Sequence, residues 1–412
     1  MDKFYKIPGA TDILFDNKVE LLPSVTELFE YELAYLEYKT LPEDEYLQRT
    51  AYAKSFNGKD SLHFLRYNEI PDEVSKNRTS TANAYFKNGL FSTGYATHSL
   101  FPYRGKFHPQ LIKALLNILG VKKGDYVLDP MTGSGTTNIE ASLLGINSYA
   151  IDISPFCQMM TKTKYDALKI DNKILNEVDL EADKLFDFFN QKNITQKIDE
   201  IETGKKEIYE LSFLAYLDAL GYSKRVVRSN HQQLFRKVLT RYLETVKNLL
   251  SNKYFDQKEL GEVTILKNSN ALNIELPDNS IDAIITSPPY SFAIDYVEND
   301  KDQLEYLGYD TKELKSKLIG LKGKTKKEKL ENYFADMDTF LSEAARVLKP
   351  NKHLVIIIGS NTNQTGGIRL EESVINSAKK YKLNLVKSIL KPIKGMRNTM
   401  KEEYVLFFEK TK

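Results

Sequence analysis

Three kinds of hydrophobic pattern divide the chain. Short apolar runs bounded by turn residues, at Val263–Leu266, Ile281–Ile285, Leu354–Ile358 and Tyr404–Phe408, predict strands. Tyr126–Leu128 and Ser148–Ile151 read the same way. Helices are predicted at Leu111–Leu119, Asn138–Leu144 and Tyr333–Leu348. Such alternation argues for a mostly parallel sheet in an α/β fold. Residues 169–260 differ. They are almost free of Gly and Pro, and Leu175, Val178, Leu185 and Phe188 recur at helical spacing. That pattern predicts a helical insertion. Residues 1–95 are mixed, with a helix expected near Val25–Tyr38 and a polar loop at Ser75–Asn83. The expected plan is an N-terminal extension (1–95), a first α/β part (96–168), a helical insertion (169–260) and a second α/β part (261–412).

Two strand ends carry unusual chemistry. Ile281–Ile285 runs directly into Thr286-Ser287-Pro288-Pro289-Tyr290. The prolines end the strand, because neither has an N–H for a sheet ladder. The rigid turn would hold a small hydroxyl, backbone carbonyls and a ring at the strand's C-terminal edge. In open α/β sheets that edge is where ligands bind. The oxygens can accept hydrogen bonds from an amino group, and the ring can stack on a flat base.

The second is Tyr126-Val127-Leu128-Asp129-Pro130-Met131-Thr132-Gly133-Ser134-Gly135-Thr136-Thr137, an apolar strand entering a glycine turn ahead of a helix. Glycines let the backbone bend sharply and approach a ligand closely. Strand Ser148–Ile151 ends in Asp152, 17 residues beyond Gly135, where a carboxylate can accept ribose hydroxyls. The turn lacks the Gly-X-Gly-X-X-Gly spacing of hydride-transfer enzymes. It also lacks the lysine of phosphate-binding NTPase loops.

The run Asp129–Thr137, followed by Ser287-Pro288-Pro289-Tyr290, resembles the amino-directed (cytosine-N4 or adenine-N6) DNA methyltransferases over roughly residues 100–165 and 262–410. The resemblance implies a Rossmann-like S-adenosylmethionine methyltransferase sheet. It sets Asp129, Pro130, Thr132, Gly133, Gly135 and Thr136 around the methionine end of the cofactor and makes Asp152 the ribose acid. In Tyr103–Gln110, Phe107 and Pro109 match a Phe-X-Pro-type segment that covers the methionine moiety. Read on their own, Pro109 is a good first-turn helix residue and Phe107 a hydrophobic staple. Family members often carry an acid near position 270 for the adenine amino group. Asn270 stands there instead, and its side-chain oxygen can accept the same bond.

The implied catalytic set is Ser287, Pro288, Pro289 and Tyr290. Ser287 and the Pro288 carbonyl would accept the target amino hydrogens, while Tyr290 would stack on a base flipped from the duplex. Serine at 287 is more usual among cytosine-N4 members and aspartate among adenine-N6 members, so cytosine N4 is favoured and adenine N6 is the alternative. Transfer-RNA guanine-N2 enzymes share the Pro-Pro-Tyr turn, usually after aspartate, and are the more distant alternative. A non-catalytic binding module on the same fold would be free to lose the turn, which is intact.

Composition changes the picture in three places. Net charge is only +2, so a nucleic-acid surface must be local. One basic cluster, Lys224, Arg225, Arg228, Arg236, Lys237 and Arg241, falls in the insertion. Another, Lys312, Lys315, Lys317, Lys322, Lys324, Lys326, Lys327 and Lys329, follows the proline turn. There Gly320 and Gly323 suggest a mobile loop closing on double-stranded DNA. The single Cys157 excludes an intrachain disulfide and a cysteine zinc site, and no metal is expected. Cys157 also follows the second strand rather than Ile285, out of place for a C5-cytosine nucleophile. The N-terminus has no apolar signal core and no run reaches transmembrane length, so a cytoplasmic protein is expected. Nothing long follows Phe408, so no C-terminal recognition domain is expected. A restriction endonuclease acting on the same site is the expected partner if the enzyme is the modification half of a restriction-modification system.

Overall fold

A computed structural model describes residues 10–16, 18–67, 86–87, 90–91, 94–103, 105–171, 173–175, 181–191, 194–225, 230–289, 295–359, 365, 367–393 and 402–412. The expected loop Ser75–Asn83 lies outside them, as do Tyr290, Arg228 and the side chain of Arg225. The chain forms two compact units. One comprises 1–122, 139–145 and 163–260, the other 123–138, 146–162 and 261–412.

The second unit is built on a sheet of seven strands among the described residues. In chain order these are β1 (Tyr126–Asp129), β2 (Asn147–Ala150), β3 (Val263–Ile265), β4 (Ile281–Thr286), β5 (Leu348–Gly359), β6 (Leu383–Pro392) and β7 (Glu402–Lys410). Their spatial order is β6-β7-β5-β4-β1-β2-β3. The pairs from β3 to β5 are parallel, and β7 runs antiparallel between β5 and β6. This is the α/β, Rossmann-like sheet that the resemblance implies. Chain order runs outward from β1 in one direction and from β4 in the other, so the topological switch point lies between them.

All six residues of β4 are buried, which explains its unbroken apolar run. Its one charged member, Asp282, is satisfied. Its carboxylate accepts from Lys349 Nζ at 2.8 and 2.9 Å and from the Tyr126 amide at 3.1 Å. Leu354, Ile356 and Ile358 of β5 alternate onto a core with Leu406 and Phe408 of β7. That core is covered by α3 (Lys326–Val347) and α4 (Leu370–Ala378), through Tyr333, Met337, Phe340, Leu341 and Val374. The preceding helices are α1 (Thr136–Leu143) and α2 (Pro155–Asp166).

Three local features differ from the sequence expectation. Helix α3 begins well before Tyr333, because Thr325 and Glu328 form a capping box. The lysine-rich segment is helical only in part: Thr311–Lys317 is a helix capped by Asp310 and α3 takes over at Lys326, while residues 318–325, with Gly320, Lys322, Gly323 and Lys324, link them without helix. Strand β6 was not expected. It is an edge strand whose exposed positions include Val386 and Leu390 as well as Asn384 and Ser388, and its register against β7 shifts between Leu385 and Lys387.

In the first unit a three-stranded antiparallel sheet (Val19–Leu21, Ala53–Phe56, Lys59–Asp60) accompanies helices Leu28–Thr40 and Pro109–Ile118. A buried polar knot joins them. Glu37 accepts from the Asn117 side chain at 2.7 Å and from the Ala51 amide at 3.0 Å. Helices Lys206–Arg225 and His231–Leu250 pack along one another. In helix Ala182–Phe189 the core-facing pair is Leu185 and Phe189, one residue on from the expected Phe188. Among the described residues no helix is long and apolar enough to cross a membrane.

Candidate active site

The β1–α1 turn is shaped by its own side chains. Asp129 closes β1 fully buried, and its Oδ1 accepts from the Met131 amide at 3.2 Å. The Thr132 amide donates to the Ile151 carbonyl at 2.9 Å, and its hydroxyl to Asn138 Oδ1 at 2.6 Å. Asn138 in turn donates to Ser148 Oγ and the Tyr149 carbonyl, both at 3.1 Å, tying the start of α1 to β2. Thr136, also buried, opens α1. Gly135 has φ +79°, and a Cβ there would meet the buried Thr161 side chain at 2.8 Å. Glycine is thus required for both conformation and space.

Asp152 follows β2 and is woven into the same turn. Its Oδ2 accepts from the Gly133 amide and its Oδ1 from the Ser154 amide, each at 2.8 Å. Burial pushes both Asp129 and Asp152 up to about 6, against the hydrogen bonds that favour their charged forms.

The proline turn meets this loop at the switch point. Thr286, the last residue of β4, is buried, and its hydroxyl donates to Asp129 Oδ1 at 2.8 Å. Leu128 and Ile284 are register partners on the two strands. Ser287 and Pro289 are half-buried and Pro288 is buried. The structure therefore brings Asp129, Gly133, Asp152 and the start of the proline turn to one sheet edge. The part of Thr286 was not read from the sequence. A hydroxyl at the end of a fully buried strand was the available signal, since such a group needs a partner.

The comparisons with known proteins fall on the same two segments. A family model described as DNA methylase (N6_N4_Mtase) matches residues 281–412, and an RMKL-like methyltransferase domain matches 99–205. Type II methyltransferase M.BsoBI of Geobacillus stearothermophilus is 27% identical over 339 residues, 67% of either chain. Type II methyltransferase M.MvaI of Kocuria varians is 23% identical over 417 residues, covering 79% of this chain and 90% of the relative. A tRNA (guanine(10)-N2)-dimethyltransferase of Methanocaldococcus jannaschii is 35% identical over 95 residues, 23% of this chain and 27% of that one.

The chain is similar to amino-directed DNA methylases over residues 281–412, and to Type II methyltransferases over two thirds or more of its length.

These similarities imply S-adenosylmethionine as methyl donor, and the residues of this methyltransferase fit it. Two acceptor positions of the Asp152 carboxylate are taken by amides, leaving capacity for ribose hydroxyls. Asp129 is buried at the start of the turn, where burial raises its carboxyl while the Thr137 and Thr286 hydroxyls both favour its charged form. Asn270 lies after β3, where its Oδ1 accepts from the Leu272 amide at 2.8 Å; one lone pair of that oxygen remains.

Phe107 and Pro109 belong to the first unit, where Pro109 is the first residue of helix Pro109–Ile118 and Phe107 is half-buried. Of the basic residues, Lys224 is exposed, while Arg236 and Arg241 pair with Asp183 and Asp218. Lys322 is bound to Asp336 at 2.8 Å. Lys324, Lys326 and Lys327 are exposed around the N-terminus of α3. Among the described residues no cluster of His, Cys, Asp and Glu could hold a metal ion.

Proposed function

We propose that this methyltransferase transfers a methyl group from S-adenosylmethionine to the N4 amino group of cytosine in double-stranded DNA, as the modification half of a restriction-modification system. The observation that carries the reading is the Thr286–Asp129 bond. It anchors the start of Ser287-Pro288-Pro289-Tyr290 to the strand that opens the cofactor turn. The relatives named Type II methyltransferases support the restriction-modification context.

An exocyclic amine is a poor nucleophile, because its lone pair is delocalised into the ring. Ser287 Oγ and the Pro288 carbonyl accept its two hydrogens, which turns lone-pair density toward the donor, and Tyr290 stacks on the flipped base. S-adenosylmethionine, when bound, supplies an electrophilic methyl on a sulfonium. Transfer would release the cofactor as its neutral thioether, and the Ser287 hydrogen bond would carry the amine's surplus proton to solvent. Positioning does most of the work. Asp152 holds the ribose, Asn270 the adenine amino group, and Phe107 and Pro109 cover the methionine end. We assign target recognition to the helical segment 169–260, the N-terminal hundred residues or the segment after Tyr290, and phosphate contact to Lys224, Arg225, Arg228, Lys324, Lys326 and Lys327, with Lys322 engaged by Asp336 instead.

The test is tritium transfer from labelled S-adenosylmethionine to plasmid DNA, with mass spectrometry of the nucleosides. N4-methylcytosine is expected. N6-methyladenine would move the target to adenine, and transfer to tRNA without transfer to DNA would favour the guanine-N2 reading that the Methanocaldococcus relative keeps in view. Ser287→Ala should abolish turnover while cofactor binding persists; a variant that still turns over at the parent rate removes Ser287 from the mechanism.

A further inference from the structure

In the first unit, His98 sits in a single 3-10 turn, Ala96–Ser99, and is almost completely buried. The turn is strained. Ala96 has φ +50° and Phe101 φ +58°, values that side chains other than glycine rarely adopt. Strong local contacts hold it there. The Phe101 amide donates to the Tyr242 hydroxyl at 2.7 Å, and the Tyr95 ring stands edge-on to the His98 ring at 5.3 Å.

Two further bonds give the turn direction. His98 Nε2 meets Glu140 Oε1 at 2.6 Å, both groups out of water. Glu140 lies in α1, the helix that begins where the glycine turn ends. The His98 carbonyl accepts from Lys106 Nζ at 2.9 Å. Lys106 immediately precedes Phe107. One residue thus holds the helix behind the glycine turn by its ring and the Phe107 segment by its backbone. Strain at such a turn persists only when surrounding contacts over-determine it, and that cost is expected where geometry matters for function.

We propose that His98 is a positioning residue for the cofactor. It couples α1, through Glu140, to the Phe107 segment, through Lys106. The inference rests on the reading of the glycine turn and Phe107 as S-adenosylmethionine contacts.

The two links can be cut separately. His98→Ala removes the bond to Glu140 and keeps the carbonyl that Lys106 uses. Lys106→Met removes the other link and keeps most of the length of this half-buried side chain. Calorimetric titration of the full chain with S-adenosylhomocysteine reads cofactor affinity without turnover. Each variant is expected to weaken that affinity by about fivefold or more, and the double variant by less than the product of the two, because the links act through one residue. Affinity for a non-cognate DNA duplex and the Tm of Lys106→Met should stay at parent values, which a purely structural role would not arrange. Unchanged S-adenosylhomocysteine affinity in Lys106→Met overturns the proposal, as does cofactor and DNA affinity falling together in both variants. Failure of the parent protein to bind S-adenosylhomocysteine overturns the cofactor reading first, and the clamp with it.

Discussion

Thr286 and Asp129, 157 residues apart in sequence, share a buried 2.8 Å hydrogen bond at the ends of two adjacent parallel strands. The bond joins the proline turn to the glycine turn, so changes at either residue should be felt at both. Thr286→Val keeps the shape and removes the donor, leaving a buried carboxylate oxygen short of a partner. Stability should fall by about 1–3 kcal/mol in urea unfolding. Methyl transfer should fall further than stability explains. Thr286→Ser should recover most of both. A fully active Thr286→Val would show that the bond does not align the site.

Gly135 offers a steric test of the cofactor turn. An alanine there would combine φ +79° with a contact of 2.8 Å to Thr161. The expected loss is about 1–3 kcal/mol from overpacking and the left-handed backbone together. Adding Thr161→Ala should relieve part of the loss in Gly135→Ala, because the clash is with that side chain. Strictly additive effects in thermal unfolding would place the strain elsewhere.

Cofactor affinity should depend on pH through Asp152. Burial raises this carboxyl to about 6. A raised folded value means the native chain holds a proton that the unfolded chain has released between about pH 4 and 6. The associated stability is full below pH 4 and is lost as pH rises through 6. Binding runs the other way, since ribose hydroxyls donate best to the ionised carboxylate. Affinity for S-adenosylmethionine should be about tenfold weaker at pH 5 than at pH 7 in calorimetry. Asp152→Asn should bind more weakly at pH 7 and flatten the profile, leaving only what Asp129, also raised to about 6, contributes. An unchanged pH profile in that variant would dissociate Asp152 from the ribose.

The lysines after the proline turn separate by their partners. Lys322 is committed to Asp336, whereas Lys324, Lys326 and Lys327 are exposed at the start of α3. Replacing those three with glutamine should lower the slope of log affinity for DNA against log salt by up to about three, with uniform weakening across sequences. Lys322→Gln should leave the slope alone and cost stability instead. The same slope in the triple variant would remove this face from the DNA contact.

Much of the second unit was legible along the chain because its signals are local. Buried parallel strands read as continuous apolar runs, and β4 did so through Ile281–Ile285. The glycine turn and the Pro-Pro step announce backbone geometry that few other residues allow. Where local and tertiary preferences diverge, legibility fails. Strand β6 buries Leu383 and Ile389 but exposes Val386 and Leu390, so apolar residues fall on both of its faces and no clean alternation marks it in the sequence. The lysine-rich segment reads as a solvated loop by composition; two N-caps make its two ends helical and leave residues 318–325 as the link.

The sequence by itself determined the order of the two chemical motifs, the residues they present and the strands that carry them, because each depends on neighbours within a few positions. Only the tertiary structure decided which of those residues share an edge. Parallel pairing of β4 with β1 places Thr286 against Asp129, the Gly133 amide closes on Asp152, and His98 reaches Glu140 across 42 residues of chain. Partners of buried polar groups are set by which strands and helices become neighbours. No local pattern encodes that choice.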